Sequence, residues 1–292
     1  MDLTQLKMFC AVADCGSMAR AAQQLHRVPS NLTTRLRQLE EELGGDLFIR
    51  EKQRLRLSPM GHNFLCYARR ILVLSEEALN MAHGGKPGGH FAFGAMESTA
   101  ATRLPLLLAE FHQRYPAVTL ALFTGTSGEL IERVSAGTLA AALVDGPVNV
   151  EELNGCVAFH QEIVLISSPD HRAISRPADA AGSTLFAFRP GCSDRARFEN
   201  WFRAAGVQPG SVIEIPSYHA MLACVASGSG LALLPAAVLA QLPGHERVRQ
   251  HPLPPPICET TTLLIWRRDA FSANIEALKY LMIEQFDANG CD

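Results

Sequence analysis

Leu32, Leu36, Leu39 and Leu43 recur at spacings of four, three and four, the period of one helix face. Pro29 and Ser30 open that helix. Residues 26–28 turn the chain away from a shorter, Ala-rich helix that Ser17 caps and that runs to Leu25. Leu3, Leu6, Phe9 and Val12 predict an amphipathic helix ahead of this pair. After Gly44 the period falls to two. Leu47, Ile49, Leu55 and Leu57 alternate with Phe48, Arg50, Arg54 and Arg56, which predicts a short β-hairpin with a basic outer face. Ser58-Pro59 is a hydroxyl cap followed by proline, and the helix it starts is expected to run to about His83. Phe64, Ala68, Ile71, Ser75, Ala78 and Ala82 form one seam of that helix, and Leu65, Leu72 and Leu79 a second. Two seams ask for a partner on each side, either the chain's own body or a second copy, and a dimer is the favoured expectation. The run GGKPGG at 84–89 breaks the pattern and marks a hinge.

From His90 the pattern changes to short apolar runs that end in Gly or small polar residues. FAFGAM, VTLALFTG and AAALVDG are three such runs, with helical patterns at 98–114 and 127–136 after the first two. A second series follows: EIVLISS, TLFAFRPG with helix 193–204, VIEIPS with helix 218–227, and LALLP. A strand near 261–268 and a helix at 272–287 come last. The alternation implies βαβ units and parallel sheet. Two similar halves with a late return imply two lobes and a cleft at the carboxyl ends of their strands.

The face of the 29–43 helix opposite its leucines carries Ser30, Asn31, Thr33, Thr34, Arg35 and Arg37. Short hydrogen-bonding groups and guanidinium forks are the types that reach base edges and phosphates in a major groove. A basic hairpin beside it would lie along the phosphate backbone as a wing. The stretches LTQLKMFCAVADCGSMARAAQQLH, PSNLTTRLRQLEEELGGDLFIR and LRLSPMGHNFL resemble the winged helix-turn-helix of LysR-type transcriptional regulators. The resemblance implies Ser30, Asn31, Thr33, Thr34 and Arg35 as base readers, and Arg37, Arg50 and Arg54 as phosphate contacts. Most members carry Arg where Thr34 stands and Gln where Arg35 stands, which leaves the base preference there open. The resemblance also implies a dimerising linker helix and a C-terminal effector domain like a periplasmic binding protein. The expected class is α/β, with a DNA-binding unit at 1–59, a linker and hinge at 60–89 and a two-lobed effector unit at 90–292.

Composition adds little until it is divided along the chain. The net charge of the 292 residues is −3. Residues 1–59 hold nine Lys or Arg against seven Asp or Glu, so the rest carries −5. Glu40, Glu41 and Glu42 sit at the far end of the reading helix, leaving its start and the wing basic. The eight cysteines form no CxxC pair, and no His cluster has zinc spacing, so no metal or cofactor is expected. No basic segment leads an apolar run at the N-terminus and no stretch is long enough to span a bilayer. A cytoplasmic protein with free thiols and no membrane partner is expected.

The turns that begin helices after strands carry Glu97-Ser98-Thr99, Thr124-Gly125-Thr126-Ser127 and Cys192-Ser193, with Ser217-Tyr218-His219 on the facing lobe. Free N–H groups there suit an anionic or strongly polar small molecule. Arg189, at a strand end, could hold a carboxylate or lock its lobe by a salt bridge. Glu97 and Asp145, two carboxylates at strand ends, could instead bind a cationic group, that of an amine or an amino acid. The effector candidates are Ser98, Thr99, Thr126, Arg189, Ser193 and His219. The expected partners are promoter DNA, a carboxylate- or amine-bearing effector, further copies as a homodimer or homotetramer, and RNA polymerase as a further candidate. MESTAA, LVDGPV, FRPGCS and SYHAMLACV are also similar to a subgroup of the family linked with polyamine or semialdehyde catabolism.

Three rival readings remain. Catalysis finds no nucleophile elbow, phosphate loop or metal spacing, and Gly228-Ser229-Gly230 lies between a helix and a strand, the wrong order for a dinucleotide loop. A cytoplasmic solute-binding protein would suit the two lobes alone. A redox sensor would use Cys192, at a helix start near Arg189, Arg195 and Arg197, with Cys224 as the resolving thiol.

Overall fold

The computed structural model describes residues 1–51, 54–82, 85–270 and 272–286. Helix α1 (Leu3–Cys15) starts on a reciprocal cap: the Asp2 carboxylate accepts from the Gln5 amide at 2.7 Å, and Gln5 Oε1 accepts from the Asp2 amide at 2.8 Å. Helix α2 (Met18–Gln24) is capped by Ser17. His26 then takes φ 51° to turn the chain tightly into α3 (Pro29–Leu43), where Pro29 occupies the first turn. Leu32, Leu36 and Leu39 of α3 join Leu6, Phe9 and Val12 of α1 in one buried core.

Strands β1 (Phe48–Glu51) and β2 (Arg54–Leu57) pair antiparallel, with Phe48 opposite Leu57 and Ile49 opposite Arg56. The facing differs from the alternation expected for β1. Leu47 is buried, but it lies ahead of the strand, where its amide and that of Phe48 donate to Glu40 Oε1 at 2.8 and 3.2 Å. The pleat therefore starts one residue later. Phe48 turns inward onto Phe9, at 5.4 Å between ring centroids, and Ile49 faces out.

Helix α4 (Pro59–Ala82) has 24 residues and is therefore about 36 Å long. Ser58 Oγ caps it by accepting from the Gly61 amide at 2.8 Å. Phe64, Leu65, Ala68, Ile71 and Leu72 pack on the core of the helical unit. Tyr67, Val73, Leu74 and Leu79 remain exposed. The Gly-rich connection ends where Asn274 holds Gly88 through both its amide and its carbonyl, each at 3.0 Å.

Lobe I begins with β3 (Gly89–Ala95), α5 (Glu97–Thr102), α6 (Leu104–Arg114), β4 (Val118–Thr124), α7 (Ser127–Ser135) and β5 (Ala141–Asp145). The helix expected over 98–114 is two helices, broken at Arg103 because Pro105 lies in the first turn of α6 and cannot continue α5. The long β6 (Leu153–Ser167) then carries the chain into lobe II. Its first half went unread because Gly155, His160 and Gln161 interrupt the apolar run. Lobe II adds β7 (Thr184–Ala187), α8 (Ser193–Ala204), β8 (Ser211–Glu214), α9 (Tyr218–Ala226), β9 (Leu231–Pro235), the short α10 (Ala236–Leu239) and β10 (Arg249–His251). Then β11 (Glu259–Arg267) returns to lobe I, where α11 (Ala273–Phe286) packs beside α6.

The strand order is β4-β3-β5-β11-β6-β9-β7-β8, with β10 also on β6. Within each lobe the βαβ strands are parallel, and β6 and β11 run antiparallel to their neighbours. Each lobe buries apolar clusters around its sheet, with Phe91, Phe93 and Phe111 in lobe I and Phe198 and Phe202 in lobe II. The linker helix touches lobe I through Arg70 Nη2, 3.0 Å from Asp269 Oδ2.

Candidate functional site

Two concave regions gather the expected polar residues. The first lies on α3. Its leucines face the core, so Ser30, Asn31, Thr33, Thr34, Arg35 and Arg37 are all exposed. Ser30, Asn31, Thr34 and Arg35 share a hollow with Val28 and Gln38. Thr33 and Arg37 lie outside it. The Thr33 and Thr34 hydroxyls donate back to the carbonyls of Pro29 and Ser30, each at 3.0 Å. Arg37 is held by Glu41 at 3.1 Å, and Arg35 by Asp2 at 3.4 Å. Gln38 was missed, although it lies one turn beyond Thr34 on the same face. The side chains of Arg50 and Arg54 lie outside the described residues.

The second region is a cavity of about 380 Å³ between the lobes. Parallel βαβ order puts the first turns of α5, α7, α8 and α9 at the carboxyl ends of their sheets, and these turns line it. Ser98, Thr126, Arg189 and Ser193 are at its wall. Thr99 is fully buried behind it, with its hydroxyl unpartnered. His219 is exposed and does not line the cavity, though its charge acts on Glu97. Sequence reading did not count Met96, Phe188, Glu214 or Pro216 among the effector candidates, although Met96 and Phe188 open the stretches MESTAA and FRPGCS.

Contacts between the lobes close this cavity on one side. Arg189 of lobe II is ion-paired with Glu129 of lobe I. The Thr126 amide, then Arg189, hold the Glu129 carboxyl below its ordinary range. The Gly128 amide donates to the Gly191 carbonyl at 3.3 Å. Gly191 has φ +91°, and a Cβ there would meet Thr126 Oγ1 at 3.1 Å, so glycine permits both the turn and the approach. Deeper in, Arg197 Nη2 lies 3.5 Å from Asp145 Oδ2, and Arg197 also donates to the Glu259 carbonyl at 2.9 Å. Burial pushes Asp145 up, while Ser193, Thr260 and Arg197 draw it back. Asp194 beside it is pushed up to about 7 by burial and then by the Asp145 charge.

Cys192 departs from the reactive thiol that its setting suggested. Burial, then the Asp194 charge, push it up to about 12. The three nearby arginines are committed elsewhere: Arg189 to Glu129, Arg195 to Glu199 and Arg197 to Asp145. The expectation of free thiols throughout also fails at Cys156, which is disulfide-bonded, a pairing no local spacing announces. Among the described residues, no group of three His, Cys, Asp or Glu is placed to hold a metal, and no helix is long and apolar enough to cross a membrane.

Comparison with known proteins gives both regions a context. The family model for the bacterial regulatory helix-turn-helix protein, lysR family, matches residues 3–62, and that for the LysR substrate binding domain matches 84–287. The chain is 34% identical over 270 residues to the HTH-type transcriptional regulator GltR of Bacillus subtilis (strain 168), covering 92% of this chain and 91% of that one. It is 34% identical over 272 residues to the regulator YofA of Bacillus velezensis, covering 93% of each. Among solved structures, a full-length OxyR variant from Pseudomonas aeruginosa shares the fold with TM-score 0.75 at 22% identity, over 97% of this chain and 95% of that one. Full-length CbnR complexed with its target DNA gives TM-score 0.67 at 25% identity, over 97% and 99%. A helix-turn-helix unit and a two-lobed α/β unit, matched nearly end to end, make this chain a member of the LysR family: a DNA-binding transcriptional regulator with an effector-binding domain.

Proposed function

We propose that this regulator binds a spaced promoter site through α3 and its wing, and that a small molecule in the interlobe cavity modulates that binding. The observation that carries the reading is the cavity, lined by polar and charged residues, between two lobes joined by two crossings, in the same chain as an exposed reading helix. The proposed division is a DNA-reading unit at 1–59, a linker at 60–89 and an effector unit at 90–292. Asn31 and Arg35, with Ser30, Thr33 and Thr34, read bases; Arg37, Arg50 and Arg54 meet phosphates. Ser98, Thr126, Arg189 and Ser193 meet the effector, while Thr99 and His219 act from behind and beside the cavity.

A ligand that favours one degree of lobe closure changes the contact of lobe I with α4, and with it the spacing of reading helices in an assembly. Tyr67, Val73, Leu74 and Leu79 leave exposed apolar side chains on more than one side of α4, surface that suits a homodimer, or a homotetramer built from two. Such a promoter-bound assembly would act in the cytoplasm, alongside RNA polymerase. CbnR, whose structure with its target DNA shares this fold, supports the DNA half of the reading.

A footprint on the DNA upstream of the protein's own gene, titrated with salt, tests it. A protected, roughly palindromic site whose affinity falls steeply with salt is expected. Absence of protection at low salt, with and without a ligand that stabilises the protein, would overturn the reading.

A further inference from the structure

The charges around the interlobe cavity are unevenly committed. Glu97, Asp194 and Glu214 line it, and among the described residues the one cation in its wall is Arg189. Arg189 is already paired with Glu129. The neighbouring cations are taken too: Arg195 pairs with Glu199 at 2.8 Å and reaches Glu214 only at 3.9 Å, and Arg197 serves Asp145. A carboxylate ligand would therefore have to break an existing ion pair to find a guanidinium.

The bland account of Glu97 and Asp194 is that each sits in the first turn of its helix, where the dipole favours an acid. That account accommodates their charge but also removes the anion site, since the positive helix ends already face carboxylates. It leaves two further facts unexplained. Asp194 lines the cavity, is only 9% exposed, and keeps Oδ1 buried without a hydrogen-bond partner. Beside the carboxylates stands an aromatic wall: Phe188 and Tyr218 meet edge to face, 4.7 Å between centroids, next to Pro216. Carboxylates not closely held by a cation, beside aromatic rings, are the chemistry that receives an alkylammonium ion.

We propose that the effector is a small aliphatic amine, its ammonium group taken up by Glu97 of lobe I and by Asp194 and Glu214 of lobe II, its chain lying on Phe188 and Tyr218. This rests on the effector reading above. Because the carboxylates come from both lobes, a cation between them draws the lobes together. A diamine, able to serve both walls at once, binds more tightly than the matching monoamine.

Thermal shift and calorimetry on the full-length protein test this with α,ω-diaminoalkanes of three to six carbons, the matching monoamines, and dicarboxylates of equal length. The expected result is saturable stabilisation by the amines, diamines strongest, and none by the dicarboxylates. Glu97→Gln and Glu214→Gln, both at exposed positions and isosteric, should each weaken amine binding about tenfold, the loss expected for one charge-assisted hydrogen bond. They should keep the unliganded melting temperature. Stabilisation by dicarboxylates alone would overturn the cationic effector and leave the cleft as an effector site. Amine binding undiminished in both variants would overturn this placement of the ligand. Silence in every arm would overturn the proposal and count against the effector reading as well.

Discussion

Among the described residues two ion pairs tie lobe I to lobe II, and their surroundings make them unequal. Arg189 and Glu129 have side chains 51% and 43% exposed, so water screens their attraction. Arg189→Ala should change unfolding free energy by less than about 1 kcal/mol in denaturant titration. Arg197 and Asp145 are 18% and 3% exposed. Arg197→Ala strands a buried carboxylate and should cost about 3 kcal/mol by the same measurement. Asp194 adds a pH signature. Its folded value of about 7 lies above the ordinary carboxylate value of 3.8. The folded state thus holds the proton more tightly than the unfolded chain. That contribution to stability is full below about pH 4 and is lost as pH rises through 7. The groups facing Asp194 are Asp145, Arg197, Cys192 and Tyr218. Melting temperatures of Asp194→Asn and the parent should therefore diverge in favour of the variant between pH 5 and pH 8.

Among the elements, α3 and α4 carry the sharpest expectations. Asn31→Ala and Arg35→Ala should relax base choice at single operator positions, read by binding to a panel of mutated sites. Arg37→Ala, Arg50→Ala and Arg54→Ala should instead weaken all sites alike, each lowering the slope of affinity against salt by about one. At the start of α4, a Cβ on Gly61 would lie 2.1 Å from the Leu47 carbonyl oxygen. Backbone cannot yield there as a side-chain tip can, so Gly61→Ala should cost about 2 kcal/mol in unfolding experiments. The helices of the reading unit were legible because each has one amphipathic period and recognisable caps. Helix α8 was legible to the residue as well, as the helical stretch that follows TLFAFRPG. The first half of β6 was not, since its partner β11 lies a hundred residues away and its polar positions find partners only in the pair, as where Gln161 Nε2 donates to Thr262 Oγ1 at 2.8 Å. The cavity was legible as a set of helix starts. Its charge state was not, because which arginine serves which carboxylate is decided by the approach of two lobes and leaves no local pattern.

For the whole molecule, cavity and reading helix are coupled in both directions. If an effector changes promoter affinity by some factor, promoter DNA must change effector affinity by the same factor. Calorimetry of the effector with free and operator-bound protein, set beside DNA titrations with and without effector, should give equal ratios. Unequal ratios would mean that a third species, such as a change in oligomer, enters the cycle. The Arg70–Asp269 contact is the described ion pair between α4 and lobe I, so Asp269→Asn should shrink both ratios together.

The route of the chain also bears on how the protein is made. Lobe II is one continuous stretch between the second half of β6 and β10, whereas lobe I is completed only when β11 slides between β5 and β6. A chain leaving the ribosome N-terminus first can finish its helical unit and then lobe II while lobe I still lacks the strand that joins β5 to β6. Over that interval β5 and β6 present bare edges, the kind that pair readily with strands of other chains. The last thirty or so residues described thus act as a seal whose late arrival sets the period during which translation leaves this regulator most open to misassembly.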